Sequence, residues 1–458
     1  MTKTIIAYTR SLFMRHGIFH KTAIIVFLLL SFDHSLRAQS GVFKVLYNFT
    51  NNQFFTNRSS IPNGVILSSN VLYGTAVGIS PPASQAGSTV FRINADGSGF
   101  TNLHYFTGQN DGGLARGAPL LISNQLYGAT EIGNDIFAIN TDGSGLTNIA
   151  VLSRIGYSAA ALIASGNTLF GTGTGSGVFA VNTDGTGYTN LATFTGTNGS
   201  FPAGTLALSG DTLYGTAYQG GISNNGTVFA VTTNGSSFTN LHIFTGTDGG
   251  APYCGLVLGG NTLFGTTTIG GSGSNGTVFA INVDGTGFTN LYSFNGNDGS
   301  QPFTGLTLSG DTLYGVTEYG GINGTGEIFG INTNGSAFTI LHSFQGAAGE
   351  YLDGANPCAP LVLAGNIIYG VACHGGTTGD GTLFSLTLAP PLWIALTNGP
   401  SVVLSWPSWA TNYVLQSTTN LASGTWTNMT NSISMVGTNW IWTNTLASQA
   451  AFFRLEEQ

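Results

Sequence analysis

The chain has 458 residues, 42% of them hydrophobic and only 7% charged, with 69 glycines and a formal net charge of −8. Eleven basic residues against nineteen acidic ones exclude the basic stripe that nucleic acid or an anionic membrane surface would require. A glycine-rich chain surfaced with Asn, Thr and Ser has low helix propensity, which points to an all-β protein, and the length is ample for a large core.

Residues 1–38 read as an export signal. Arg10, Arg15 and Lys21 precede the apolar run TAIIVFLLLSF at 22–32, and Leu36-Arg37-Ala38 is an acceptable cleavage site. A retained membrane anchor is the rival reading. Cleavage would leave 6 basic and 18 acidic residues, a net charge near −12, on a secreted or cell-surface chain with no membrane span.

From 39 to 388 the chain repeats. An LYG-like triplet begins at Leu72, Leu126, Leu169, Leu213, Leu263, Leu313 and Ile368, at spacings of 54, 43, 44, 50, 50 and 55 residues. Four strands at a period of roughly 40–50 residues make a propeller blade. In the copy at 305–344, Gly310-Asp311 suits a two-residue hairpin turn that sets Leu308 opposite Leu313 and Leu306 opposite Gly315. The third strand, VFAIN at 278–282, is apolar at consecutive positions, so both of its faces are expected to be covered.

Asp-Gly or Asn-Gly follows each third strand, at Asp96, Asp142, Asp184, Asn234, Asp284 and Asn334, and reads as a hairpin turn. A calcium loop is the other reading, but no carboxylate cluster with a bidentate Glu follows. First and third strands each occur seven times. The fourth-strand pattern follows a third strand only six times, and its seventh copy, VFKVLYNF at 42–49, stands at the front. The expected fold is therefore a seven-bladed β-propeller closed by the N-terminal strand, which would leave no exposed sheet edge.

If Gly365-Asn366 is the last blade's turn, Cys358 falls opposite Cys373. A cross-strand disulfide and two free buried thiols are then the alternatives, with Pro357 and Pro360 able to end the pairing early. Cys254 reads as a small buried hydrophobe. Residues 389–458 hold all six tryptophans beyond the Pro390-Pro391 linker, with strands expected at 401–406, 412–418, 425–429, 438–443 and 450–455 in a small β-sandwich. Its tryptophans are either core or sugar-binding residues.

In a four-strand meander the long, variable loops share one rim, where a ligand is expected. One position per blade, just past the second strand, should line that mouth: Val77, Glu131, Thr174, Tyr218, Thr268, Glu318 and Cys373. Seven-fold spacing puts Glu131 and Glu318 almost across the channel, where an acid/base pair would need its carboxyls within roughly 10 Å. Tyr319 and His374, one residue further on, and Arg116 complete the candidate binding set. His104, His242 and His342 recur at one repeat position and so read as a structural slot. No Ser-His-Asp order, metal-ligand spacing or phosphate loop stands out, and no cofactor is expected.

The LYGTT-type strand, Gly-Gly, GTVFxI and TNLHxF segments, such as Leu263–Thr267, Gly270-Gly271, Gly276–Ile281 and Thr289–Phe294, resemble the tandem GloVer repeat of exported bacterial proteins over about 42–388. Membership in that family implies no activity. LSWP at 404–407, NLASGTW at 420–426 and FFRL at 452–455 resemble a small fibronectin-type-III-like C-terminal domain of exported bacterial proteins. The expected function is non-catalytic recognition of an extracellular glycan or protein through the loop-rich rim. The alternative is an extracellular lyase or hydrolase acting on a polysaccharide or peptide, a reading licensed only by analogy of fold.

Overall fold

A computed structural model describes residues 6–8, 41–50, 59–79, 87–107, 111–133, 135–151, 161–173, 175, 177–345 and 352–389, and in the tail 393–396, 401–407, 413–419, 425–430, 433–437, 439–445 and 451–457. Among them the protein is all-β, with no helix and therefore none long and apolar enough to cross a membrane. Two compact units divide the chain, Phe43–Leu386 and a second made of Met1–Val42 with Thr387–Gln458.

The larger unit is built from antiparallel meanders, seven among the described residues. The first sheet orders Ser59–Ser68, Val71–Ile79, Gly87–Asn94 and Thr101–Phe106, and the second orders Gly113–Ile122, Gln125–Ile132, Asp135–Asn140 and Thr147–Val151. The third to sixth sheets repeat this plan, with second strands Thr168–Gly173, Thr212–Gln219, Thr262–Thr267 and Thr312–Thr317. In the seventh, Ala355–Pro357 and Val362–Ala364 pair with Ile367–His374, which pairs with Thr382–Thr387. The fourth place is filled by Val42–Asn48.

The repeat signature has a steric cause. The glycine of each LYG-like triplet lies directly opposite a third-strand phenylalanine, as in Gly215↔Phe229, Gly265↔Phe279 and Gly315↔Phe329. A Cβ at Gly315 would sit 2.5 Å from the Phe329 ring, so the ring occupies the space that the missing side chain leaves open. These phenylalanines are fully buried. Both faces of each third strand are covered, because consecutive sheets share apolar clusters: Leu206, Leu213 and Phe229 with the third sheet's Phe170, and Leu256, Leu263 and Phe279 with the fourth sheet's Tyr214. One cluster joins Leu72 and Phe91 of the first sheet to Tyr369, Val371 and Leu383 of the seventh, with Phe49 buried among them.

Polar links follow the same path. Buried second-strand threonines donate to the next sheet, in or just ahead of the stretch that pairs with its second strand: Thr75 to the Gly117 carbonyl at 2.7 Å, Thr172 to Gly204 at 3.2 Å and Thr216 to Cys254 at 2.7 Å. The recurrent histidine slot is an inter-sheet staple. His242 stacks on Phe288 of the next sheet with centroids 3.7 Å apart, His342 on Phe43 at 3.8 Å, and Tyr292 on Phe338 at 3.8 Å. Each ring also reaches an Asp in the connection that follows, as in His242–Asp248 and His342–Asp353, both 2.9 Å, and Tyr292–Asp298, 2.6 Å.

The Asp-Gly turns between third and fourth strands join antiparallel paired strands, as hairpin turns do. The Asn94 N–H donates to the Ser98 carbonyl, and Asp96 Oδ1 accepts from both the Ser98 N–H at 2.8 Å and its hydroxyl at 2.7 Å, closing the loop. The short Asp side chain organises such a turn by itself.

One local expectation needs correction, the register in the seventh sheet. Val362 faces Tyr369, but Pro357 faces Ala372, so the pairing slips by two residues between them, as it does in the fourth sheet between Pro202↔Ala217 and Ala207↔Tyr214. Cys358 is therefore diagonal to Cys373 rather than opposite it. The two are nevertheless bonded, with Cα atoms 5.8 Å apart. Cys254 is free and buried.

The turn between first and second strands carries a left-handed residue at its first position. Gly166, Gly210, Gly260, Gly310 and Gly365 hold it with φ of 55–60°, whereas Ser69 and Ser123 hold it with φ of 55°. A β-carbon in this conformation costs on the order of 1 kcal/mol. Ser69→Gly combined with Ser123→Gly is expected to raise unfolding free energy by about 1 kcal/mol, since the gain is partly offset by glycine's extra freedom in the unfolded chain. A denaturation midpoint equal to that of the parent would contradict this.

The second unit has two four-stranded antiparallel sheets. One orders Trp393–Leu396, Ser401–Pro407, Asn439–Thr445 and Ile433–Val436, and the other Ile6–Tyr8, Ala451–Glu457, Tyr413–Thr418 and Thr427–Asn428. Leu404, Trp406, Leu415, Trp442, Phe453 and Leu455 form its core, so two of the tryptophans are packing residues. Trp409 lies outside the described residues, as does all of 1–38 except Ile6–Tyr8.

Candidate functional site

The rim opposite the tight turns carries the loops between second and third strands and the connections between sheets. Its regularity begins at a strained residue in or just ahead of the first strand of five sheets. Leu114, Phe201, Ala251, Gln301 and Asn356 all adopt φ of 53–56°, and the last four precede a proline, a setting that ordinarily favours extended backbone. The strain is sustained by hydrogen bonds on both sides. The Gln301 N–H donates to the Asn275 carbonyl of the preceding sheet at 2.9 Å, and the Gln301 carbonyl accepts from the Glu318 N–H at 3.1 Å. The Asn356 side chain of the next sheet donates to the Glu318 carbonyl at 2.9 Å. The Glu318 backbone is thus held from two sheets at once.

Three of the expected residues meet there. The half-buried Glu318 carboxyl is hydrogen-bonded to the Tyr319 hydroxyl and feels the charge of His374 from the seventh sheet. Burial pushes Glu318 above its ordinary pKa, although both neighbours oppose that shift. The Glu318 charge in turn raises Tyr319. Tyr319 is 42% exposed, and His374 is exposed at the end of its strand beside Cys373.

Arg116 and Glu131 form a separate pair, with Arg116 Nε 2.8 Å from Glu131 Oε1. The Glu131 side chain is only 5% exposed. Burial pushes it up to about 7 against the pull of Arg116. The groups that act on Glu131 are not those that act on Glu318, so the two carboxylates belong to separate clusters. Tyr218 belongs to a third, meeting Tyr253 edge-on at 5.5 Å, and Tyr253 stacks on Phe303 at 4.1 Å. Val77 and Thr268 are buried, and Thr174 lies outside the described residues.

Sequence reasoning passed over Tyr253 and Phe303. Their signal was available, since both follow the proline of APYCGL and QPFTGL at one repeat position, which holds Ala203 in the fourth sheet. It also passed over Glu327. This carboxyl is 2% exposed and starts a third strand where Thr227 and Thr277 stand in neighbouring copies. Burial pushes it up to about 7. Hydrogen bonds from Ser343 and the Ile322 N–H oppose this, and the negative charge of Asp298 reinforces it.

The Gloeobacter/Verrucomicrobia repeat model matches residues 136–309 and 235–439, together well over half of the sequence. The chain belongs to this repeat family. Comparison with curated proteins gives no match. Among solved structures, the oligogalacturonate lyase of Vibrio parahaemolyticus superposes with a TM-score of 0.50 at 9% identity, covering 85% of this chain and 98% of that one. BamB of Moraxella catarrhalis gives 0.42 at 15% identity, covering 75% and 98%. The likeness is one of fold: this member of the Gloeobacter/Verrucomicrobia repeat family is an all-β, propeller-like protein.

Proposed function

We propose that this repeat protein is an exported, non-catalytic recognition protein, a seven-bladed propeller closed by Val42–Asn48 and followed by a small fibronectin-type-III-like domain. Its ligand, an extracellular glycan or protein, is bound on the loop-rich rim. The observation that carries the reading is the Glu318, Tyr319 and His374 cluster, in which a carboxyl with its backbone pinned from two sheets is flanked by two exposed groups able to contact a ligand. A purely structural cluster would have its partners packed in, as the His–Asp staples do.

Closure is supported by the shared cluster of first and seventh sheets around Phe49, and by the stacking of His342 on Phe43 and of Tyr47 on Phe100 at 4.3 Å. Export rests on the basic, apolar and small-residue order of 1–38, and the tail assignment on its two small sheets, from which cleavage would remove the edge strand Ile6–Tyr8 and leave the three tail strands paired. One observation favours the lyase or hydrolase reading. Glu131, raised to about 7 beside Arg116, has the protonation behaviour of a general acid.

A screen of extracellular glycans and peptides, run with the full chain and with Glu318→Ala plus Tyr319→Ala, tests the proposal. Binding that the double substitution weakens by about tenfold or more supports it. Finding no ligand, or binding indifferent to these residues, overturns it. Turnover by the parent that Glu131→Gln abolishes would replace recognition with catalysis.

A further inference from the structure

We infer that the rim of the fourth to seventh sheets receives a basic, apolar-flanked peptide segment of a partner protein, one cationic side chain lying against Glu318 and its apolar neighbours against exposed isoleucines. The inference rests on the recognition reading above and adds the class of ligand.

Charge is the first argument. No lysine or arginine occurs anywhere between Arg154 and Arg454, so the permanent cation that the fourth to seventh sheets carry among the described residues is Lys44 of Val42–Asn48, whose Nζ donates to the Asp96 carbonyl at the tight-turn rim, while Asp and Glu recur throughout them. Of the three histidines in this stretch, His242 and His342 are paired with Asp248 and Asp353, leaving His374 at the rim. Such a face repels anions and attracts ammonium or guanidinium groups. Tyr319 beside Glu318 offers what a cationic side chain prefers, an aromatic ring next to a half-buried carboxyl.

Apolar exposure is the second argument, and it separates a peptide from a sugar. Ile222 is 91% exposed and Ile322 79%, at equivalent tips of the loops between second and third strands. Ile269 is 47% exposed and Leu352 58% on the same rim. The opposite rim of these sheets is tipped by Asp211, Asp284 and Asp311, which are polar and exposed. Sugars stack on flat aromatic faces and bond to planar polar groups. Isolated branched aliphatic tips gain instead by burial against other aliphatic side chains, at about 1.5–3 kcal/mol for each one fully covered. Anionic charge with aliphatic tips on one rim therefore matches a segment in which basic and apolar side chains alternate.

Calorimetric titration of the full chain tests this. The probes are synthetic peptides of about nine residues: repeats of Lys-Leu-Ser, the same with Glu for Lys, the same with Ser for Leu, and a chitosan oligosaccharide as an ammonium-bearing glycan. The Lys-Leu-Ser peptide is expected to bind at least about tenfold more tightly than either peptide control, and more weakly as salt rises. Glu318→Gln, and separately Ile222→Ser with Ile322→Ser, should each weaken it by about fivefold or more. Asp211→Asn with Asp311→Asn, a charge change on the opposite rim, should alter it by less than about twofold.

Equal losses from the opposite-rim variant, or equal binding without leucine, would reduce the effect to bulk electrostatics and overturn the inference. Binding of chitosan alone would also overturn it while leaving recognition standing. Failure of every ligand in the wider screen would remove both.

Discussion

Deletion of residues 42–49 is expected to lower the unfolding midpoint by about 10 °C or more and to cause association. This strand fills the fourth place of the seventh sheet, and without it Thr382–Thr387 becomes an open edge. Its side chains are also central to packing. Phe49 is fully buried against Phe91, and Phe43 stacks on both His342 and Phe384. Phe49→Ala alone should cost roughly 3–5 kcal/mol, the usual range for truncating a buried phenylalanine. At about 2–4 °C per kcal/mol in a domain of this size, that substitution by itself approaches the expected shift. A scanning-calorimetry trace of the deletion variant that superposes on the parent, with the protein still monomeric, would show that the N-terminal strand does not close the ring.

Stability is expected to fall as pH rises from about 4.5 to 7, with Glu327 as the principal cause. Burial penalises the carboxylate and lifts its folded pKa from an ordinary 4.5 to about 7, and its partners Ser343 and Ile322 N–H are neutral. A raised folded pKa means that the native state holds the proton more tightly than the unfolded chain. Its contribution is therefore complete below 4.5 and lost as pH climbs through 7. Glu131 and Glu318 act in the same direction.

Asp111 and Asp248 act oppositely and only in acid. Burial raises each, but hydrogen bonds from Thr107 and Thr245 and from the histidines outweigh it and hold both below the ordinary range, so what they contribute is lost below about pH 4. Maximum stability should therefore lie near pH 5. Glu327→Gln preserves shape while removing the charge. It is expected to exceed the parent in stability by on the order of 2–3 kcal/mol at pH 8 and to match it at pH 4. Parallel stability–pH curves for the two proteins would refute the assignment.

Spacing alone predicted one rim position after each second strand; Glu318 directly follows its strand, whereas Glu131, Tyr218 and Cys373 each stand one residue before the end of theirs. Their partners were only partly legible. Tyr319 and His374 adjoin it in sequence, but Glu131 turned out to answer to Arg116 and Glu318 to Tyr319 and His374, not to each other. The acceptors of the histidine staples were hidden for a different reason. Asp111, Asp248 and Asp353 stand 7, 6 and 11 residues after their histidines, so a connection of varying length delivers one geometry from three spacings. The left-handed residues at the start of the first strands had no signal, since Leu, Phe, Ala, Gln and Asn share no preference for that conformation.

The sequence by itself determined the period and the strand order, because these depend on turn chemistry and on apolar patterning within about 40 residues of chain. It likewise named Cys358 and Cys373 as a pair within reach, although a two-residue slip in the pairing makes them diagonal rather than opposite. Tertiary structure alone decided which polar side chains share a cluster, which carboxyls are buried, and that Glu327 sits among neutral donors beside Asp298. Those outcomes depend on how neighbouring sheets approach, and long-range burial leaves no periodic mark in the residues that undergo it.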